Sequence, residues 1–210
     1  MNHEQLVENL ADDLKPVQVV KSFSLKAMVF QGLILLLLAL IMLALKKNPV
    51  NSHFESPWYL LEITFAVFMS GILLWGAMKL SIPGRKQVRW IKPLTIILSL
   101  SLLVSMVAHS VQEQISFHQH GDYWICVVPS LAFSVLVAGI YTFFITKNLA
   151  PTNPREIGAM AMAAASVLVG AFTSVYCLAS GPLHQILWHY GPVAFLSFFG
   201  FFLGRKILRW

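Results

Sequence analysis

Six long apolar runs constrain this chain more than any other feature of its sequence. They occupy residues 27–45, 58–78, 93–108, 123–145, 157–178 and 186–203. A transmembrane helix needs about 17–25 apolar residues, so five runs can span a bilayer. The third run is shorter, and it can span only if the side chains that flank it extend toward the membrane interface. Backbone groups inside lipid have no water with which to form hydrogen bonds, so a spanning segment is either an α-helix or a strand of a closed barrel. None of the runs shows the alternation of polar and apolar residues that is typical of barrel strands. The sequence predicts an all-α integral membrane bundle of six transmembrane helices.

The composition supports this prediction. The chain has 210 residues, of which 57% are hydrophobic and 11% are charged, whereas soluble domains have about 45–50% and about 25% respectively. Six spans leave only short connections, which excludes a separate soluble enzyme domain. The first 26 residues are polar and acidic, unlike a cleaved signal peptide. We therefore expect two parts: a segment over residues 1–26 and a six-helix membrane domain over residues 27–210.

The distribution of basic residues predicts the orientation. Of the 15 Lys and Arg residues, only Lys46 and Lys47 lie in loops on the side opposite to the N-terminus. By the positive-inside rule, both termini then lie in the cytoplasm. The basic residues stand beside apolar runs rather than on one soluble face, so they indicate topology and not direct nucleic-acid binding.

An amphipathic segment precedes the first run. Its apolar stripe consists of Leu6, Val7, Leu10 and Leu14. Its opposite face carries Glu4, Glu8 and Asp12. Pro16 ends the predicted helix at about Lys15. The acidic residues oppose binding to anionic lipid, which leaves two interpretations of this segment. It binds a protein partner with a basic groove, or it forms an acidic cap on the protein's own basic loop.

Two cysteines are expected at the same depth in the membrane. Cys126 begins the fourth run and Cys177 ends the fifth, and each lies about 30 Å from the inner end of its helix. Three readings follow: a reversible disulfide, a soft metal site (Cu or Zn) formed with nearby histidines such as His184, or unpaired cysteines that pack as small hydrophobic residues.

The other candidate polar groups give weaker signals. His118 and His120 lie in a loop, while His184 and His189 are five residues apart, about 140° around an α-helix, and so should not share a chelating face. Glu62 is either a functional intramembrane acid or a side chain that reaches the interface.

Several motifs resemble the NrsF-type membrane anti-sigma factors. They are LVENLADDLKPV (6–17), SIPGR (81–85), the lone Cys126, CLASGPLHQILWHYGPV (177–193) and the terminal GRKILRW (204–210). The resemblance implies a bacterial inner-membrane protein with six spans. Its cytoplasmic N-terminal segment would hold an extracytoplasmic-function sigma factor inactive.

The resemblance also implies roles for individual residues. Sigma-factor contacts would come from Leu6, Val7, Leu10, Asp12, Asp13, Leu14 and Pro16. Cys126 and Cys177 would sense oxidative or metal stress at the outer face. Apart from the resemblance, the sequence offers His184, His189, His118, His120 and Glu62 as candidate supporting groups. His118 and His120 match no pattern of the family.

Two other functional classes fit the sequence less well. A DsbB-like thiol oxidoreductase needs a second cysteine pair to pass electrons onward, and the chain has only two cysteines. A small metal transporter needs polar groups near the bilayer midplane, and the runs provide almost none. The sequence therefore favours a regulator over an enzyme.

Overall fold

The computed structural model describes residues 23–45, 57–82, 124–149, 153–175 and 184–208, with residues 90, 151, 177 and separate positions between 93 and 107. All regular structure in these residues is helical. The helices are α1 (Phe23–Leu45), α2 (Pro57–Leu80), α3 (Trp124–Asn148), α4 (Pro154–Ser174), a π-helix (Gln185–Tyr190) and α5 (Gly191–Ile207). The predicted all-α class is confirmed for this part of the chain.

Within the described residues, four helical segments are long and apolar enough to cross a membrane. They are Leu60–Leu80, Cys126–Thr146, Pro154–Ser174 and Gln185–Ile207. These segments correspond to the second, fourth, fifth and sixth apolar runs. The first run also forms a helix, α1, and the apolar stretch Val29–Leu40 lies within it. The third run is described only at separate positions, so the count of six spans remains a prediction.

Helix α4 lies at the centre of the bundle, where it contacts α2, α3 and α5. Its small side chains allow these neighbours to approach closely. The hydroxyl of Ser70 on α2 donates to the carbonyl oxygen of Ala164 on α4 at 2.8 Å. The hydroxyl of Tyr141 on α3 donates to Oε1 of Gln31 on α1 at 2.7 Å. These hydrogen bonds satisfy polar groups inside the bundle and connect α2 to α4 and α1 to α3.

Helices α4 and α5 touch through their backbones along a seam formed by Gly158, Gly200 and Gly204. A Cβ atom added at Gly158 would lie 2.8 Å from Cα of Gly204, and one added at Gly200 would lie 2.9 Å from the carbonyl carbon of Gly158. Both distances are shorter than van der Waals contact. The glycine seam therefore holds the two helices at a separation that no larger residue permits.

We expect Gly158→Ala to destabilise the membrane domain. The added methyl group meets backbone atoms of α5, which cannot rotate away, and overpacking of this kind costs about 1–3 kcal/mol. Gly139→Ala on α3 is the matched control, because a Cβ there meets no atom of the described residues within 4 Å. Thermal unfolding in detergent should show a melting temperature several degrees lower for Gly158→Ala and unchanged or higher for Gly139→Ala. Equal melting temperatures would contradict the close backbone contact.

Candidate functional site

Four side chains of types that can ligate a metal converge at one end of the bundle. Cys126 lies in the first turn of α3, Cys177 follows the end of α4, His184 precedes the π-helix, and His189 lies within it. Their ligand atoms all lie within 4.8 Å of one another. Separate parts of the chain thus bring two thiols and two imidazoles together, and we refer to these residues as the Cys/His cluster.

The two cysteines are free thiols in direct contact. Sγ of Cys126 lies 2.9 Å from Sγ of Cys177, which in turn lies 3.1 Å from Nε2 of His184. Cys177 is buried and Cys126 is half-buried. Burial also lowers the pKa of His184 below its ordinary value, which favours the neutral imidazole, the form that binds metals.

The π-helix explains why the two histidines lie together. Their ring centroids are 5.3 Å apart, although an α-helix would place residues five positions apart about 140° from each other. In a π-helix the backbone hydrogen bond joins residue i to residue i+5, so residues with this spacing stack on one face. The expectation that His184 and His189 do not share a chelating face was therefore wrong, because it assumed α-helical geometry.

His189 is the most deeply buried member of the Cys/His cluster, with no exposed surface. Its Nδ1 lies 2.9 Å from Oγ1 of Thr173 on α4. Its other ring nitrogen, Nε2, is buried and has no hydrogen-bond partner among the described residues. One side of the ring is thus held by α4 while the other side offers a free nitrogen atom.

Sequence reasoning missed two residues that position His189. Thr173 contacts the ring, and Gly170 lies under the backbone of the π-helix, where a Cβ atom would come within 2.6 Å of the carbonyl oxygen of His189. Their spacing of three residues places both on one face of α4. That spacing becomes informative only once the position of the π-helix is known.

Other candidate residues lie apart from the Cys/His cluster or outside the described residues. Glu62, near the start of α2, lies beside Tyr190, so it adjoins the cluster without belonging to it. Among the predicted supporting residues, His118 and His120 lie outside the described residues. So do the predicted sigma-factor contacts Leu6, Val7, Leu10, Asp12, Asp13, Leu14 and Pro16.

The described basic side chains lie at helix ends opposite to the Cys/His cluster. They are Lys79, Arg155, Arg205 and Lys206. Arg155 lies in the first turn of α4, whereas the cluster contacts the end of the same helix, about 30 Å away. The helical bundle is therefore asymmetric along its length, with thiols and imidazoles at one end and positive charge at the other.

Comparisons with known proteins identify the family. A family model described as NrsF, negative regulator of sigma F, matches residues 10–210. A search of curated proteins and a search of solved structures give no match. The family match covers every described residue, including the Cys/His cluster, and confirms the resemblance found in the sequence motifs. The chain belongs to the NrsF family of negative regulators of a sigma factor.

Proposed function

We propose that this protein is an anti-sigma factor of the bacterial inner membrane that holds an extracytoplasmic-function sigma factor inactive. Residues 1–26 would bind the sigma factor in the cytoplasm, and oxidant or metal at Cys126 and Cys177 would release it. The observation that carries the sensing part of the proposal is the contact between the two thiols, at 2.9 Å, beside two imidazoles. The family match supports the sigma-factor partner.

The N-terminal segment has the features of a partner-binding helix. Its apolar stripe is too short to form a stable isolated helix in water, so binding in a groove would supply the missing burial. Four acidic residues lie between Glu4 and Asp13, and they complement a basic surface such as the one a sigma factor presents to DNA. In this arrangement the segment occupies a surface that promoter or core polymerase would otherwise contact.

The asymmetry of the bundle supports the proposed orientation. Positive residues at helix ends favour the cytoplasmic side of a membrane, which leaves the Cys/His cluster at the outer side. Disulfides persist outside the reducing cytosol, so a thiol pair at the outer side can respond to oxidants. A cluster at the inner side would be kept reduced.

Two chemical events at the thiols are compatible with sensing. With a peroxide, both thiols lose their protons, one sulfur–sulfur bond forms, and the oxygen–oxygen bond breaks to give water and an alcohol or a second water. With a soft metal ion such as Cu or Zn, the thiolates become ligands and release their protons. Converting the protein from mostly bound to mostly released sigma factor requires about 5 kcal/mol of differential stabilisation.

Capture of the partner tests the proposed function directly. Tagged full-length protein, purified from membranes of its own host under reducing conditions, should retain a sigma factor that mass spectrometry identifies. Treatment with peroxide or metal should reduce the amount retained. Recovery of no sigma factor from unstressed cells would contradict the proposal.

We expect reporter fusions to place the two ends of the bundle in different compartments. Alkaline phosphatase, which is active only outside the cytoplasm, should be active when inserted after His120 and inactive when fused to Trp210. A fluorescent protein that folds only in the cytoplasm provides the reciprocal control at both sites. Phosphatase activity at Trp210 would contradict the orientation and place the thiols on the inner side.

A further inference from the structure

The free nitrogen atom of His189 needs a physical explanation. The residue has no exposed surface, and Nε2 has no partner among the described residues. Buried polar atoms almost always have a hydrogen-bond partner, and an exception at a cluster of ligating groups indicates a bound species. His189 differs in this respect from His184, whose Nε2 lies 3.1 Å from a thiol.

Thr173 determines which nitrogen of His189 carries the proton. Its hydroxyl oxygen lies 3.0 Å from the carbonyl oxygen of Val169 and 3.1 Å from that of Gly170. The hydroxyl has one proton, which it donates to these carbonyls, so toward the imidazole it acts as an acceptor. Nδ1 of His189 therefore donates to Thr173, and Nε2 keeps its lone pair. Metal-binding histidines are commonly held in this way by a second partner.

The distances in the Cys/His cluster suit a four-coordinate ion. Zinc bonds of about 2.3 Å to sulfur and about 2.0–2.1 Å to nitrogen place the ligand atoms of a tetrahedron about 3.3–3.8 Å apart. In this structure the contacts within the cluster are 2.9 Å between the sulfurs and 3.1 Å between Cys177 and His184, and no pair of ligand atoms exceeds 4.8 Å. Shifts of about 1 Å would bring all four atoms to one centre.

The charge balance favours a divalent ion. Two thiolates and two neutral imidazoles carry a charge of about −2, so a divalent cation gives a neutral site. Neutrality matters here because a net charge buried at the edge of the bilayer is costly. Tetrahedral sites with two sulfur and two nitrogen ligands are typical of zinc.

We propose that Cys126, Cys177, His184 and His189 form a tetrahedral site for a divalent d10 cation such as Zn²⁺, in which His189 binds through Nε2. Thr173 is the positioning residue that fixes this tautomer. On binding, two metal–sulfur and two metal–nitrogen bonds form, and the two thiol protons pass to water. This inference rests on the proposed function, since it names the ligand of the site that would control release of the sigma factor.

Cobalt binding to the purified full-length protein tests the proposal. Co²⁺ replaces Zn²⁺ in tetrahedral sites and gives visible absorption together with sulfur-to-cobalt charge-transfer bands. Under reducing conditions the wild-type protein should bind one Co²⁺ with both spectral features, and Zn²⁺ should displace it. His189→Ala should weaken Co²⁺ binding at least 10-fold and change the visible bands, because one nitrogen ligand is lost.

Thr173→Val tests the positioning role. It should weaken Co²⁺ binding about 10–100-fold, as loss of an outer partner commonly does, while Thr173→Ser should restore it. Thr142→Val is the matched control. Thr142 is equally buried, and its hydroxyl makes the same type of paired contact with carbonyl oxygens, those of Ala138 and Gly139, but it has no hydrogen bond to a histidine of the described part of the chain. A normal thermal unfolding transition without metal verifies that each variant is folded.

The outcomes separate this proposal from the proposed function. If wild-type protein binds no Co²⁺ or Zn²⁺, or if His189→Ala binds Co²⁺ as tightly as wild type with an unchanged spectrum, the four-ligand site is wrong. If Thr173→Val and Thr142→Val behave alike, Thr173 is not a positioning residue. None of these results depends on a sigma factor, so partner capture still tests the anti-sigma role independently.

Discussion

Cells that carry the Leu10→Asp variant should express the regulon of the partner sigma factor without any inducing stress. The substitution places a carboxylate in the centre of the apolar stripe, where binding would bury it without a partner. Central apolar contacts of an interface often contribute 2 kcal/mol or more, which corresponds to a loss of affinity of about 30-fold. Reporter expression from a sigma-dependent promoter and capture of the sigma factor by the full-length variant measure the effect.

Gln5→Asp is the control for this experiment. It adds the same charge at a position that the helical spacing assigns to the acidic face, opposite to Leu10. We expect Gln5→Asp to keep the regulon silent and to retain the sigma factor. If Leu10→Asp also keeps the regulon silent, the N-terminal segment does not hold the sigma factor through this stripe.

Cys126→Ser and Cys177→Ser should each abolish induction of the regulon by peroxide or by metal. A hydroxyl group replaces the thiol with little change in size, but it forms neither a disulfide nor a strong bond to a soft metal. Because the two sulfurs contact each other at 2.9 Å, loss of either one removes the pair. Induced and uninduced reporter expression should become equal in both variants, while sigma-factor binding remains intact.

Ser166→Ala provides a control for polar substitution in the same helical core. Ser166 is buried in α4, and its hydroxyl donates to the carbonyl oxygen of Met162, away from the Cys/His cluster. We expect normal induction in this variant. Full induction in both cysteine variants would remove the thiols from the sensing mechanism.

Much of the helical framework follows from the sequence, because every backbone polar group inside lipid must form its hydrogen bond within the protein. The runs 58–78, 123–145 and 157–178 correspond to α2, α3 and α4, since their uniform apolarity leaves few alternatives to a helix. Counting residues along antiparallel helices also predicted two thiols at one depth. Those thiols lie in contact in the structure, because length along a helix converts directly into depth.

The details of the Cys/His cluster did not follow from the sequence. With α-helical periodicity, the spacing of His184 and His189 places them on different faces, but the segment is a π-helix, which is rare and has no simple residue signature. The role of Thr173 depends on tertiary contact between α4 and that π-helix. A threonine in an apolar run gives no indication of such a contact, because its hydroxyl can equally bond its own helix.

The glycine seam has a mechanical consequence. Helices whose backbones touch cannot roll or slide against each other without collision, so α4 and α5 respond to force as one stiff rod. The Cys/His cluster lies at one tip of this rod, and Arg155 and Arg205 lie at the other, about 25–30 Å away. Any tilt imposed at the tip that carries the Cys/His cluster therefore displaces the opposite tip in the same movement, without refolding of the segment between them.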